Sequence, residues 1–169
     1  MSLTFVVGRA SDVFAGDLAR AIDAELAARF PALHRGNDQP YQSEPVEAIG
    51  WRQLQQRVLR AVDVSPQLAT VDAYQAVYLP LPHDHVEHLP IGNLADPLQV
   101  GSLPVLLDEL RRFAAKAALP TDDVELMQLA LHYLESEDPD ADLDVQTYVQ
   151  LMLSAKQAIA RGDALWVVV

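Results

Sequence analysis

Leu165-Trp-Val-Val-Val169 is the stretch whose reading decides the fold. It is apolar throughout and follows Gly162, a left-handed stop for the helix expected over Asp144 to Ala160. A short run of this kind, rich in β-branched side chains, reads as a strand buried on both faces within a sheet. Its natural neighbour is the other short apolar run, Leu3 to Val7, which ends at Gly8. Both chain termini are therefore expected in strands of one sheet, with pairing between Trp166–Val169 and another chain as the alternative.

The last third otherwise reads as helix. Ser102 is placed to cap a helix running to about Ala118, and Pro104 is tolerated there because first-turn amides lack intrahelical partners. Leu103, Leu106, Leu107, Leu110 and Phe113 fall on its core side, and Thr121 is expected to cap a further helix through Leu134. Towards the amino terminus, Phe14, Leu18, Ile22, Leu26 and Phe30 recur every fourth residue and form the core stripe of a helix. Ser11 or Asp12 would cap that helix, and Pro31 closes it.

Residues 34–45, with Gly36, Asn37, Pro40 and Pro45, show no periodicity and read as a loop, with Tyr41 as its anchor. A helix follows from Val46 to about Val62, with Ser43 as its cap. Trp51, Leu54, Val58 and Ala61 form its buried side, with Arg52, Gln56, Arg57 and Arg60 pointing away. Val71 to Leu81 alternates Val71, Ala73, Val77 and Leu79 against Asp72 and Gln75, and reads as the central strand. Leu89–Leu94 and Leu98–Val100 read either as a short strand or as ordered loop. The fold class is thus α+β, a single domain over 1–169: a small mixed sheet of about three to five strands packed by about five helices, with a helix-rich C-terminal third.

Composition narrows the function classes. The 169 residues can bury a sizeable core, and with no cysteine there is no thiolate catalysis, thiolate metal site or disulfide framework. Met1 to Gly8 shows no cationic lead, so neither a signal peptide nor a membrane span is expected, and the cytoplasm is the expected location. A net charge of −12, from 24 acidic and 12 basic residues, disfavours nucleic acid and suits a basic protein partner. Arg52, Arg57 and Arg60 are read as a solvated helix face.

Catalytic motifs are sparse. No glycine-flanked serine marks a strand-to-helix elbow, and Gly8 lacks the further glycines and the lysine of a phosphate loop. Glu135, Glu137, Asp138, Asp140, Asp142 and Asp144 suggest a calcium loop. An EF-hand beginning at Asp138 would need glycine where Leu143 stands and glutamate where Val149 stands, so a solvated acidic loop is expected.

One cluster stands out. His83, Asp84, His85, Glu87 and His88 place three of the five histidines beside two carboxylates. Neutral imidazoles with a carboxylate suit a transition metal such as zinc, so His83, His85, Glu87 and His88 are the candidate ligands. In an extended segment His83 and His85 converge on one side, whereas His88 needs a bend to join them. A bland reading stands beside this one: an exposed loop whose histidines bond to their neighbours.

With the strand before it, this spacing resembles the metal-binding signature of metallo-β-lactamase-fold hydrolases. The resemblance implies one metal on His83 and His85 and a second on Glu87 and His88, activating a water for hydrolysis. It covers residues 71–94. The chain departs from the family in having Glu87 in place of aspartate. The family also needs later histidine ligands, where only His132 follows, inside an expected helix. The many strands of that sandwich are missing too, so the fold is not carried over.

Two functions are therefore expected from the sequence. The first is a non-enzymatic acidic intracellular interaction protein that holds a basic partner, similar in size and charge to immunity proteins. The alternative is a metal-dependent hydrolase on the His83–His88 cluster, with Asp96 or His132 as added ligands.

Overall fold

The computed structural model describes residues 1–33, 39–62, 67–72, 76–92 and 94–169. Gly36 and Asn37 of the expected loop, and Ala73 and Gln75 of the expected central strand, lie outside the described residues. The described chain runs β1 (Ser2–Gly8), α1 (Gly16–Arg29), β2 (Tyr41–Gln42), β3 (Val46–Glu47), α2 (Ala48–Ala61), α3 (Gln67–Thr70) and β4 (Ala76–Leu79). It continues through β5 (Glu87–Leu89), β6 (Leu98–Ser102), α4 (Leu103–Ala117), α5 (Asp123–Leu134), α6 (Leu143–Arg161) and β7 (Ala164–Val168).

The terminal strands pair antiparallel with Val6 opposite Trp166, and β7 also pairs antiparallel with β4. The strand order is β2-β1-β7-β4-β6-β5, with β3 against the start of β1, and β4 and β6 form the parallel pair. The α+β class and the terminal strands are as expected, whereas seven strands exceed the expected number. The additional strands, β2, β3 and β5, are two or three residues long and too short to show alternation.

Both faces of the sheet are covered, which explains why the four residues of β4 are all buried. Ala76 and Tyr78 join a large core with Trp51 of α2, Leu110 of α4 and Met152 of α6. Val77 and Leu79 face the opposite way, into a smaller core with Ile22 and Leu26 of α1 and Trp166 of β7. The indole of Trp166 donates to the Gly8 carbonyl at 3.0 Å, locking the terminal strands together inside this second core.

Several helix boundaries shift for local reasons. Asp12 accepts from the Arg9 amide at 2.7 Å within a 3-10 turn at Ala10–Asp12, so α1 starts later, at Gly16, and neither Ser11 nor Asp12 caps it. Ser43 is occupied by the sheet: its hydroxyl accepts from the Phe5 amide at 3.0 Å, and α2 begins at Ala48. Asp122, in place of Thr121, caps α5 by accepting from the Val124 and Glu125 amides at 3.0 and 3.2 Å. Ser102 does cap α4, and Gly162, at φ +66°, ends α6 as expected. Arg57 turns back to lie 5.1 Å over the Phe113 ring and pairs with Asp144, so it is half-buried where Arg52 and Arg60 are exposed.

Candidate functional site

The histidine cluster straddles a turn and an edge strand. His83, Asp84 and His85 lie in the connection after β4, whereas Glu87 and His88 belong to β5, paired with Val100 and Gln99 of β6. Strand alternation separates the last two: Glu87 is half-buried, and His88 is exposed on the opposite face.

The turn is held by specific bonds. Gln67 donates to the His83 carbonyl at 2.8 Å and accepts from the Ser102 amide at 2.8 Å, while the Ser102 hydroxyl donates to the Leu81 carbonyl at 2.8 Å. The His83 ring packs 5.6 Å from Phe30, and its Nδ1 lies 2.9 Å from the His85 carbonyl oxygen, which assigns the proton to Nδ1. Its Nε2 is buried without a partner among the described residues.

Glu87 closes the arrangement. Arg29, the last residue of α1, donates to Glu87 Oε2 at 3.0 Å, and His85 Nε2 lies 3.1 Å from Oε1. The Arg29 bond holds the Glu87 carboxyl below its ordinary range, with the charges of Arg29, His85 and His83 adding to the effect. His85 and Glu87 thus meet, His83 lies close by, and Arg29 is a member the sequence reading missed. The added candidates lie elsewhere: Asp96 is exposed in the connection before β6, and His132 stands on α5 beside Tyr133. Among the described residues, no group of three or more His, Asp or Glu side chains is gathered so as to hold a metal ion.

A second polar group is buried where the apolar pattern gave no warning. Glu109, 5% exposed on the core side of α4, accepts from the Gln67 amide at 2.7 Å and the Leu68 amide at 3.1 Å. It therefore satisfies the free amides at the start of α3. Burial raises its pKa against the lowering effect of those two bonds.

The acidic segment between α5 and α6 is a surface feature. Asp144 pairs with Arg57, and Asp142 accepts from the Tyr133 hydroxyl at 3.2 Å; burial and the Asp142 charge push that tyrosine up to about 12. Glu135, Glu137, Asp138 and Asp140 are exposed, and none is paired with a lysine or arginine among the described residues.

α5 carries a further feature. Leu126 and Ala130 are buried and the helix packs on α6, but Val124, Met127, Leu131 and Leu134 are 64, 52, 52 and 58% exposed. Their 3-4-3 spacing puts all of them on one outward face. The sequence signal was visible as a helix apolar on more than one side, but composition alone did not say which side would stay uncovered.

Among the described residues no helix is long and apolar enough to cross a membrane. No protein-family model, curated protein or solved structure matches the chain.

Proposed function

We propose that this chain is an acidic interaction protein, without catalytic chemistry of its own, that holds a basic protein partner in the manner of an immunity protein. The observation that supports the reading is the set Glu135, Glu137, Asp138 and Asp140: exposed carboxylates in succession, with no lysine or arginine against them among the described residues. Uncompensated charge of one sign steers an oppositely charged partner and fixes its approach. The test is retention of partners from extract on the immobilised chain at low and high ionic strength. A basic protein retained at low salt and released at high salt supports the reading. No partner, or retention that ignores salt, sinks it.

A second reading, the metal-dependent hydrolase, has one observation in its favour. His83, His85 and Glu87 lie around one turn, and the His83 Nε2 is buried without a partner among the described residues. On this reading a transition metal such as zinc would take His83, His85 and Glu87, with the Arg29 bond given up and His88 brought round from the opposite face. Metal analysis of untagged protein equilibrated with zinc separates the readings. Stoichiometric zinc that disappears in His83→Ala/His85→Ala would favour the hydrolase, and no retained zinc would remove it.

A further inference from the structure

We infer that the exposed row Val124, Met127, Leu131 and Leu134 is the seat of the partner, and that its occupant is a cationic amphipathic helix. The inference rests on the acidic-partner reading and goes further by naming the surface and the shape that fits it.

The row is continuous and outward. Its four side chains fall within a quarter-turn of the helix, while Leu126 and Ala130 anchor the inner side. Such a stripe, apolar at 3-4-3 spacing, is the surface on which a second helix packs. At its C-terminal end Leu134 borders a small cleft whose lining mixes Val46 and Val149 with the polar Glu44, Gln146 and Gln150.

The charges around the row select the occupant. At the N-terminal end stand Asp122 and Glu125, with the charge of Asp123 offset by Lys156, and beyond the C-terminal end stand Glu135, Glu137 and Asp138. The nearby cations do not reverse this: Lys156 is taken up by Asp123, and His132 lies on the flank. Both ends are acidic, so a second copy of this chain is a poor occupant. Antiparallel pairing would oppose Glu125 to the partner's Glu135 end, parallel pairing would oppose each end to its like, and both are repulsive. A helix with an apolar stripe and lysine or arginine at both ends meets the row in either direction. The acidic ends, from 122 to 135, lie roughly 20 Å apart along the helix, so cations about 13 residues apart on the occupant match both ends.

The experiment uses the full chain and three labelled synthetic helices of about 14 residues, read by fluorescence anisotropy. The first has leucines at the 3-4-3 positions with lysines elsewhere, the second exchanges lysine for glutamate, and the third keeps the lysines but exchanges leucine for serine. The first is expected to bind and to be released in about 0.5 M salt, and the other two to bind at least about tenfold more weakly. Met127→Ser/Leu131→Ser, both at exposed positions, is expected to weaken the first peptide at least about tenfold with an unchanged circular dichroism melt. Glu135→Gln/Glu137→Gln is expected to weaken it and flatten its salt dependence. Unchanged binding to the serine variant, or equal binding of the first and third peptides, overturns the seat while leaving the acidic-partner reading standing. Failure of both lysine peptides overturns the two together. A dimer in sedimentation that dissociates in the serine variant overturns the occupant in favour of a second copy.

Discussion

Gly50 of α2 lies so close to Leu143 at the start of α6 that a β-carbon on Gly50 would stand 2.4 Å from the Leu143 carbonyl oxygen and 2.6 Å from Thr147 Oγ1. The two helices meet backbone to backbone there, and Thr147, which donates to that same carbonyl at 2.8 Å, leaves no slack. Helix propensity alone would have Gly50→Ala stabilise α2 by up to about 1 kcal/mol. The contact reverses the sign, and overpacking should cost about 1–3 kcal/mol. The urea midpoint decides: a rise would show that α2 and α6 do not touch at this point.

Glu109 gives the fold a pH dependence of definite sign. Its folded pKa is raised by burial, so the folded chain keeps a proton that the unfolded chain has released over the interval between the two values. The contribution of this group is complete below the ordinary carboxylate pKa and is lost as pH rises through the raised one. Glu109→Gln should remove that component from a plot of urea midpoint against pH. Glu109→Ala should cost about 2–4 kcal/mol, because it strands the Gln67 and Leu68 amides in the interior. Equal stability of the alanine variant would contradict the capping role.

Tyr78 offers the opposite case. Its hydroxyl is fully buried without a hydrogen-bond partner among the described residues, and burial, reinforced by the Glu109 charge, raises its pKa well above the ordinary value. An unsatisfied hydroxyl is a desolvation cost with no return. Tyr78→Phe is expected to leave stability unchanged or raise it by about 1 kcal/mol. A loss of that size would mean that the hydroxyl is bonded in solution.

The sequence disclosed the elements whose pattern is set by burial on a regular period. The terminal strands were legible because Leu165 to Val169 has no polar side to expose, and α4 because Leu103, Leu106, Leu107, Leu110 and Phe113 repeat with the helix. Strands β2 and β3 were not, since Tyr41–Gln42 and Val46–Glu47 are set by pairing with β1, a long-range choice with no local period. The candidate sites follow the same division. The spacing of His83, His85 and Glu87 was readable, but Arg29 lies 58 positions from Glu87 and meets it only through the packing of α1 against the β5 end of the sheet. Glu109 was hidden because its acceptors serve amides at Gln67 and Leu68, which no pattern around residue 109 announces.

The Arg29–Glu87 bond also has a pH signature, opposite in sign to that of Glu109. The Arg29 hydrogen bond lowers the folded pKa of Glu87, so its contribution is present above the ordinary carboxylate pKa and is lost as pH falls through the lowered value. Glu87→Gln should therefore melt below the parent protein at neutral pH, and the difference should close as pH falls through the lowered value and the parent carboxyl takes up its proton. Because Arg29 is exposed and Glu87 only half-buried, the difference should also shrink with added salt. Arg29→Gln should reproduce the neutral-pH loss, and combining both substitutions should cost less than the sum of the two, since each already breaks the same bond. Full additivity would show that Arg29 and Glu87 act independently and that the end of α1 is held by Phe30 packing on His83, in the connection after β4, instead.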